Sequence, residues 1–257
     1  MRNVLLIIIY ISLAATALFA EEEIPQPCEI DTILQNLTDA ANDLNSYSCD
    51  ISYKFVQPLF ESETLRTGNL YYQQKDDLTF LTIIFETIKQ DDADTEQKLE
   101  KYFFDGVWLT HLDYQIKHAK KYQQAEPNQP LDAFELASRN FPIIGFSKTE
   151  TLEQDFRISL IEKNKLDSQN SVWLHLKVKP DTKYSNDYQH VDFWIDQQTN
   201  LPNKILALTT ESDIYEIKLT NPKINEDIPQ ENFNVQIPTD FDDPEIVPLE
   251  TEKAAEN

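Results

Sequence analysis

Residues 172–178 read Val-Trp-Leu-His-Leu-Lys-Val, in which every second side chain is aliphatic. Strict alternation of this kind is typical of a half-buried β-strand, because successive side chains of a strand point to opposite faces. The same period of two returns at residues 51–55, 191–195, 205–210 and 215–219. These stretches predict a sheet that contains most of the chain.

Two further stretches predict strands that are apolar on both faces. Residues 70–72 read Leu-Tyr-Tyr, and residues 80–85 read Phe-Leu-Thr-Ile-Ile-Phe. Such strands are covered on both sides or line an apolar cavity on one side, so the core of an ordinary sandwich and a lipid-sized cavity both remain open. In total the patterns predict about ten or eleven strands in one strongly curved antiparallel sheet, a mainly β (α+β) fold.

Two segments interrupt the strands. Residues 30–44 repeat apolar side chains at helical spacing and predict an amphipathic helix. Residues 125–154 break the β pattern with a helix-like stretch at 131–140, followed by the apolar turn Phe-Pro-Ile-Ile-Gly-Phe at 141–146. That second segment is either a buried plug or a mobile lid. As a lid it would use the apolar residues Leu131, Phe134, Leu136, Phe141, Ile143, Ile144 and Phe146.

The two ends of the chain differ from the middle. Residues 1–20 contain one basic residue, a short apolar run and several alanines, which predicts a signal peptide for export, cleaved after Ala17 or, as we favour, after Ala20. Residues 21–28 form an acidic lead-in, and the folded domain is expected at residues 29–238. Residues 239–257 are rich in acidic side chains and predict a disordered tail.

The chain has two cysteines, Cys28 and Cys49. In an oxidising compartment such a pair is expected to form a disulfide, which would stabilise the fold by about 3 kcal/mol. An alternative makes Cys28 a lipidated N-terminus. The preceding Pro-Gln-Pro at residues 25–27 lacks the aliphatic and small residues that lipidation requires, so we favour the disulfide.

Composition excludes several classes of function. Lys and Arg number 22 against 45 Asp and Glu, a formal net charge of −23, which opposes binding to nucleic acid. The three glycines are isolated, so no nucleotide-binding loop is present and no cofactor is expected. The four histidines lack metal-ligand spacing in the sequence, and no nucleophile motif occurs. We therefore expect neither a catalytic nor a metal site.

Several short motifs occur in the order and spacing of one known group of proteins. They are Phe-Val-Gln at 55–57, Gly-Asn-Leu-Tyr at 68–71, Asp-Gly-Val-Trp-Leu at 105–109, Asp-Gln-Gln-Thr-Asn-Leu-Pro at 196–202, and a closing Phe-x-x-x-x-Pro at 233–238. With the preceding amphipathic helix, this order resembles the LolA and LolB-like superfamily of periplasmic lipoprotein carriers. The likeness departs at residues 73–75, Gln-Gln-Lys, where carriers of the best-known type have a basic residue followed by Pro.

The resemblance implies an unclosed β half-barrel whose concave apolar face holds acyl chains beneath a helical lid. We expect this face to be lined by Tyr53, Phe55, Leu70, Tyr72, Phe80, Phe103, Trp108, Leu174, Leu176, Phe193 and Ile205. The implied function is a monomeric, non-enzymatic periplasmic carrier of lipoprotein acyl chains or other lipids. It would receive cargo from an inner-membrane release complex and pass it to an outer-membrane acceptor. The alternative is an envelope sensor of the same fold that binds lipids or a partner protein without transporting anything.

Overall fold

The computed structural model describes residues 27–76, 78–133, 135–136, 152–161 and 170–249, with the side chains of residues 27 and 28 left out. Within this part of the chain, helix α1 (Pro27–Asn42) precedes the sheet, and α2 is the single turn Leu152–Asp155. Short 3-10 turns lie at Pro58–Phe60 and Gln230–Phe233. The strands are β1 (Ser46–Gln57), β2 (Ser62–Lys75), β3 (Leu78–Gln90), β4 (Glu96–Phe104), β5 (Trp108–Asp113), β6 (His118–Gln123), β7 (Phe156–Ile161), β8 (Ser171–Val178), β9 (Tyr188–Asp196), β10 (Pro202–Thr209), β11 (Ile214–Ile224) and β12 (Glu245–Val247).

The predicted mainly β half-barrel is confirmed. The strands form one 12-stranded sheet in the order β12-β6-β5-β4-β3-β2-β1-β11-β10-β9-β8-β7. All neighbours pair antiparallel except β12, which runs parallel to β6. Strands β12 and β7 are the two edges, and no pairing between them closes the sheet in the residues that the structure describes.

Helix α1 covers one face of the sheet, which we call the inner face. Leu34 and Leu37, one turn apart on the helix, are buried in the main core together with Leu44, which follows the helix. Ile30 and Ile33 pack against the same core from the first turns of the helix. This spacing forms the apolar stripe that the sequence predicts, and burying it against the sheet stabilises a helix of this length.

A second, smaller core lies on the opposite face, which we call the outer face. Phe103, Leu112 and Ala119 are buried there. Ile237 and Phe241 pack against them from residues 225–249, which follow β11 and which we call the C-terminal segment. The C-terminal segment therefore covers the outer face of β4, β5 and β6.

The expectation of a disordered tail is wrong for residues 239–249. Phe241 packs edge-on against Tyr114 with ring centroids 5.2 Å apart, and β12 adds a parallel strand to β6. Asp240 forms an ion pair with Lys117 at 3.0 Å. A strand of three residues is too short to show a period of two. The prediction of disorder therefore followed from the acidic residues around it. Residues 250–257 lie outside the described part of the chain.

Candidate functional site

Most of the residues predicted to line the cavity lie on the inner face. The register places Leu174 opposite Phe193 and Phe193 opposite Ile205, so the three form one apolar row across β8, β9 and β10. All of them belong to the main core with α1. The inner-face members of the predicted set are Tyr53, Phe55, Leu70, Tyr72, Leu174, Leu176, Phe193 and Ile205.

The prediction is wrong for Phe80, Phe103 and Trp108, which lie on the outer face. The ring of Phe80 is 6.4 Å from that of Phe233 in the C-terminal segment. Phe103 belongs to the smaller core, and Lys121 lies 5.2 Å from the ring of Trp108 on that face. These residues lie in or beside stretches with large apolar groups at consecutive positions, where a one-residue error of register exchanges the two faces.

The predicted lid segment is described only in part. Leu136 is buried and Leu131 packs against the main core, while the backbone N–H of Ala133 donates to the hydroxyl of Thr79 at 2.7 Å. The start of the segment thus covers the inner face near β3. The side chain of Phe134, and all of Phe141, Ile143, Ile144 and Phe146, lie outside the described residues, so the lid remains a prediction.

Six aromatic rings form a continuous row across the inner face. We call them the aromatic row, and in order they are His111, Tyr102, Phe85, Tyr53, Tyr215 and Phe55. Neighbouring ring centroids are 4.4, 6.2, 6.1, 6.2 and 4.6 Å apart along this order. Phe85 is buried, and the other five rings are half-buried. The row therefore offers a band of accessible aromatic surface that continues from the closed core.

A glycine lies where the aromatic row passes from β3 to β1. Strand β2 separates these strands, yet the rings of Tyr53 and Phe85 approach to 6.1 Å. Gly68 of β2 lies opposite Phe85 at a bulge after Thr67. A Cβ atom at Gly68 would lie 1.8 Å from the carbonyl oxygen of Ile84, so no other residue fits this close approach of backbones.

A charged cluster adjoins the row. Glu100 lies opposite Phe85 and is buried, with Lys98 at 2.6 Å and the Nε of Arg66 at 3.9 Å. The hydroxyl of Tyr102 donates to Glu100 at 3.3 Å. Arg66 Nε is itself buried without a hydrogen-bond partner. The inner face thus combines an aromatic surface with two cations and one buried carboxylate, a cluster with one excess positive charge that suits a ligand with an apolar chain and an anionic head.

The aromatic row is uncharged at neutral pH. Burial raises the pKa of Tyr53 and of Tyr102, which keeps both phenols protonated. Burial also lowers the pKa of His111, so the imidazole that stacks on Tyr102 is neutral. Uncharged rings cost less to desolvate than charged groups, and this favours an apolar ligand.

The sequence prediction missed four members of the row: His111, Tyr102, Phe85 and Tyr215. Tyr215 could have been found, because it keeps the alternation of Ile217 and Leu219. The other three lie in β3, β4 and β5, where the alternation does not distinguish the two faces.

The predicted disulfide is not tested by the described side chains. Cys49 is a buried free thiol beside Tyr47 in this structure, and burial raises the pKa of the thiol to about 12. The side chain of Cys28 lies outside the described residues, so the bridge remains a prediction.

Two clefts lie away from the aromatic row. One of about 500 Å³ is lined by residues of β3, β4 and the β5–β6 turn, including Glu86, Leu99 and Tyr114. The other, of about 630 Å³, lies at the ends of β9, β10 and β11, beside Trp194 and Lys218. Both are open and mixed in polarity, unlike the enclosed apolar pocket typical of a site for a small apolar molecule. None of the helices in the described ranges is long and apolar enough to span a membrane.

Comparisons with known proteins give matches of structure only. No family model matches the sequence, and no curated protein matches it. The Pseudomonas aeruginosa MucA/MucB complex matches at 11% identity over 81% of this chain, with a TM-score of 0.46, and this chain spans only 61% of that chain. An uncharacterized conserved protein of Thermus thermophilus matches at 10% identity over 86% of this chain and 99% of its own, with a TM-score of 0.47.

A LolA superfamily protein of Nitrosomonas europaea matches at 11% identity over 80% of this chain and 97% of its own, with a TM-score of 0.39. The matches thus include the superfamily that the sequence motifs resemble. Because identity is low and each of these TM-scores is below 0.5, no ligand or functional residue is transferred from these proteins.

Proposed function

We propose that this protein is a periplasmic carrier that binds the acyl chains of lipoproteins or other lipids on its inner face and moves them toward the outer membrane. The observation that carries the proposal is the aromatic row, an accessible and uncharged band that continues the buried apolar surface of the half-barrel. Burial of an acyl chain contributes about 0.8 kcal/mol per CH₂ group, so even one chain would supply substantial affinity.

In this proposal the charged cluster determines which end of the ligand lies at which end of the site. An acyl chain would lie along the row and against the core, with its anionic head near Arg66 and Lys98. The Nε of Arg66 is buried 3.9 Å from Glu100 and has no hydrogen-bond partner, and the planar guanidinium suits a carboxylate or phosphate. Glu100 holds both cations in place through its two oxygens.

Access to the deeper part of the inner face would require movement. Leu34 and Leu37 of helix α1, together with Leu136, occupy that part of the face. We therefore infer that cargo enters over the half-buried row and that the segment at 131–146 moves aside as a lid. An inner-membrane release complex and an outer-membrane acceptor would be the donor and the receiver.

Fluorescence of cis-parinaric acid, a fatty-acid probe, tests binding. Tyr215→Ser removes one half-buried ring of the row at the margin of the main core, and we expect at least tenfold weaker binding of the probe by a variant whose circular dichroism spectrum matches the wild type. Tyr71→Ser is the matched control, because Tyr71 is also half-buried but lies on the outer face, between the inner-face residues Leu70 and Tyr72. Equal affinity in the two variants, or no binding by the wild-type chain, would contradict the proposal.

Leu174→Glu is a poorer test. Leu174 is only 1% exposed in the main core, so a carboxylate there would be buried without a partner and would unfold the domain.

Carriage is tested separately from binding by transfer of a fluorescent triacylated lipopeptide between donor and acceptor vesicles. Binding without faster transfer would favour a protein that retains lipid rather than carries it.

A further inference from the structure

Two histidines and an aspartate meet on the outer face of β8 and β9, away from the aromatic row. His175 lies directly opposite Asp192 in the register, and His190 precedes Asp192 by two residues on the same face of β9. The inner-face neighbours Leu174 and Val191 point the other way into the core. The pairing of the strands, rather than any spacing in the sequence, brings the three side chains together.

The geometry of this cluster is compact. His175 Nδ1 lies 2.7 Å from Asp192 Oδ1, and His190 Nε2 lies 3.4 Å from Asp192 Oδ2. The three potential ligand atoms all lie within 4.8 Å of one another. The carboxylate is only 7% exposed, whereas the imidazoles are 28% and 25% exposed, so the cluster is anchored at its base and open to solvent at its rim.

We propose that His175, His190 and Asp192 bind a divalent transition-metal ion, with Zn²⁺ as the best match. Zinc binds His nitrogen and Asp oxygen at about 2.0–2.2 Å, so tetrahedral ligand atoms lie roughly 3.3–3.5 Å apart. His190 Nε2 and Asp192 Oδ2 are already separated by such a distance, 3.4 Å. A small rotation of the His175 ring would bring its nitrogen to a similar distance from the other two ligand atoms. Ca²⁺ and Mg²⁺ fit less well, because they prefer ligands that are all oxygen.

The residues that lie opposite the cluster on the neighbouring strands β7 and β10 are uncharged. Leu206 and Leu208 of β10 lie opposite Asp192 and His190 and bring no charge. On the other side, Ser159 of β7 lies opposite His175. Lys177 is an exposed residue opposite His190, and it is the one cation directly paired with a member of the cluster in the described sheet. With three protein ligands, water would complete the coordination of the metal.

The cluster could instead be a hydrogen-bonded triad with no affinity for metal, and titration separates the two interpretations. The full chain, freed of metal with a chelator, is titrated with Zn²⁺ in competition with a chromophoric zinc indicator near pH 7.5. We expect one ion per chain and at least tenfold weaker binding in His175→Ala, His190→Ala and Asp192→Asn. His118→Ala is the control, because His118 is similarly exposed on distant β6 and should leave the affinity unchanged.

Cobalt gives a second readout, which reports the type and geometry of the ligands. Co²⁺ bound by two imidazoles and a carboxylate in a tetrahedral site absorbs strongly in the visible range, and this absorption should disappear in the His175→Gln, His190→Gln double variant. Circular dichroism verifies that the double variant is folded. No zinc binding by the wild-type chain, or equal zinc affinity in the wild type and the folded double variant, would overturn the proposal.

Discussion

Replacement of Gly68 by Ala tests the close approach of β2 and β3 that lets the aromatic row cross the sheet. The added Cβ would lie 1.8 Å from the carbonyl oxygen of Ile84, 2.8 Å from its carbonyl carbon and 2.9 Å from the Cα of Phe85. Each of these atoms belongs to the backbone of β3, so no side-chain rotation can relieve the overlap. The two strands must separate locally by about 1 Å, since real Cβ contacts shorter than 3.0 Å essentially do not occur.

The expected cost follows from this displacement. Overpacking in a well-packed core destabilises by about 1–3 kcal/mol, and a backbone overlap belongs at the upper end of that range. We therefore expect Gly68→Ala to lower the free energy of unfolding by about 3 kcal/mol. With a urea m-value of about 3 kcal/mol per molar for a domain of this size, the midpoint of unfolding falls by about 1 M.

Urea denaturation followed by tryptophan fluorescence measures this change. Gln74→Ala is the matched control, because Gln74 is an exposed residue of the same strand and its replacement should leave the midpoint unchanged. Because Phe85 follows Ile84 directly in β3, the Gly68 variant should also bind cis-parinaric acid more weakly. A midpoint within about 0.3 M of the wild-type value would refute the steric argument.

Three further predictions concern pH, the cysteines and the lid. Burial lowers the pKa of His111 from 6.5, so the folded state binds its proton less tightly than the unfolded chain. Stability should therefore fall as pH drops below about 6.5, and unfolding in urea near pH 7.5 and pH 5.5 should show a shallower fall for His111→Gln. Non-reducing peptide mapping of the exported protein should find Cys28 linked to Cys49, and alkylation of both thiols would exclude the bridge. Hydrogen exchange at residues 131–146 should be faster than in the flanking strands and should slow when an acyl ligand binds; unchanged exchange despite binding would assign this segment to the fixed core.

The sequence predicted the inner face well wherever only one face of a strand is apolar. In β8 and β9, the residues of the main core occupy every second position, and Leu174, Leu176 and Phe193 all lie on the inner face, where the period places them. In β3 the C-terminal segment covers the outer face, so Phe80 and Leu81 are both apolar for different reasons. A period of two cannot identify the inner residue of such a pair.

Contacts between distant parts of the chain explain what the sequence could not predict. The ordered tail depends on Phe241 meeting Tyr114, and the charged cluster depends on Arg66 lying near Glu100 from another strand. Neither pair has a local signature. The local sequence pattern shows which faces of a strand are apolar and therefore buried. Which distant segment packs on such a face depends on the strand register and on the path of the chain.

One register between β8 and β9 determines the residue pairs on both faces of this part of the sheet. Leu174 lies opposite Phe193 on the inner face, and the next residue pair, His175 with Asp192, lies on the outer face. A slip by one residue would exchange core and surface in both strands. The hydrogen bond from His175 to Asp192 therefore holds the register that also keeps Leu174 on Phe193. A metal ion there would reinforce the same pairing without touching the apolar face, because adjacent side chains of a strand point in opposite directions.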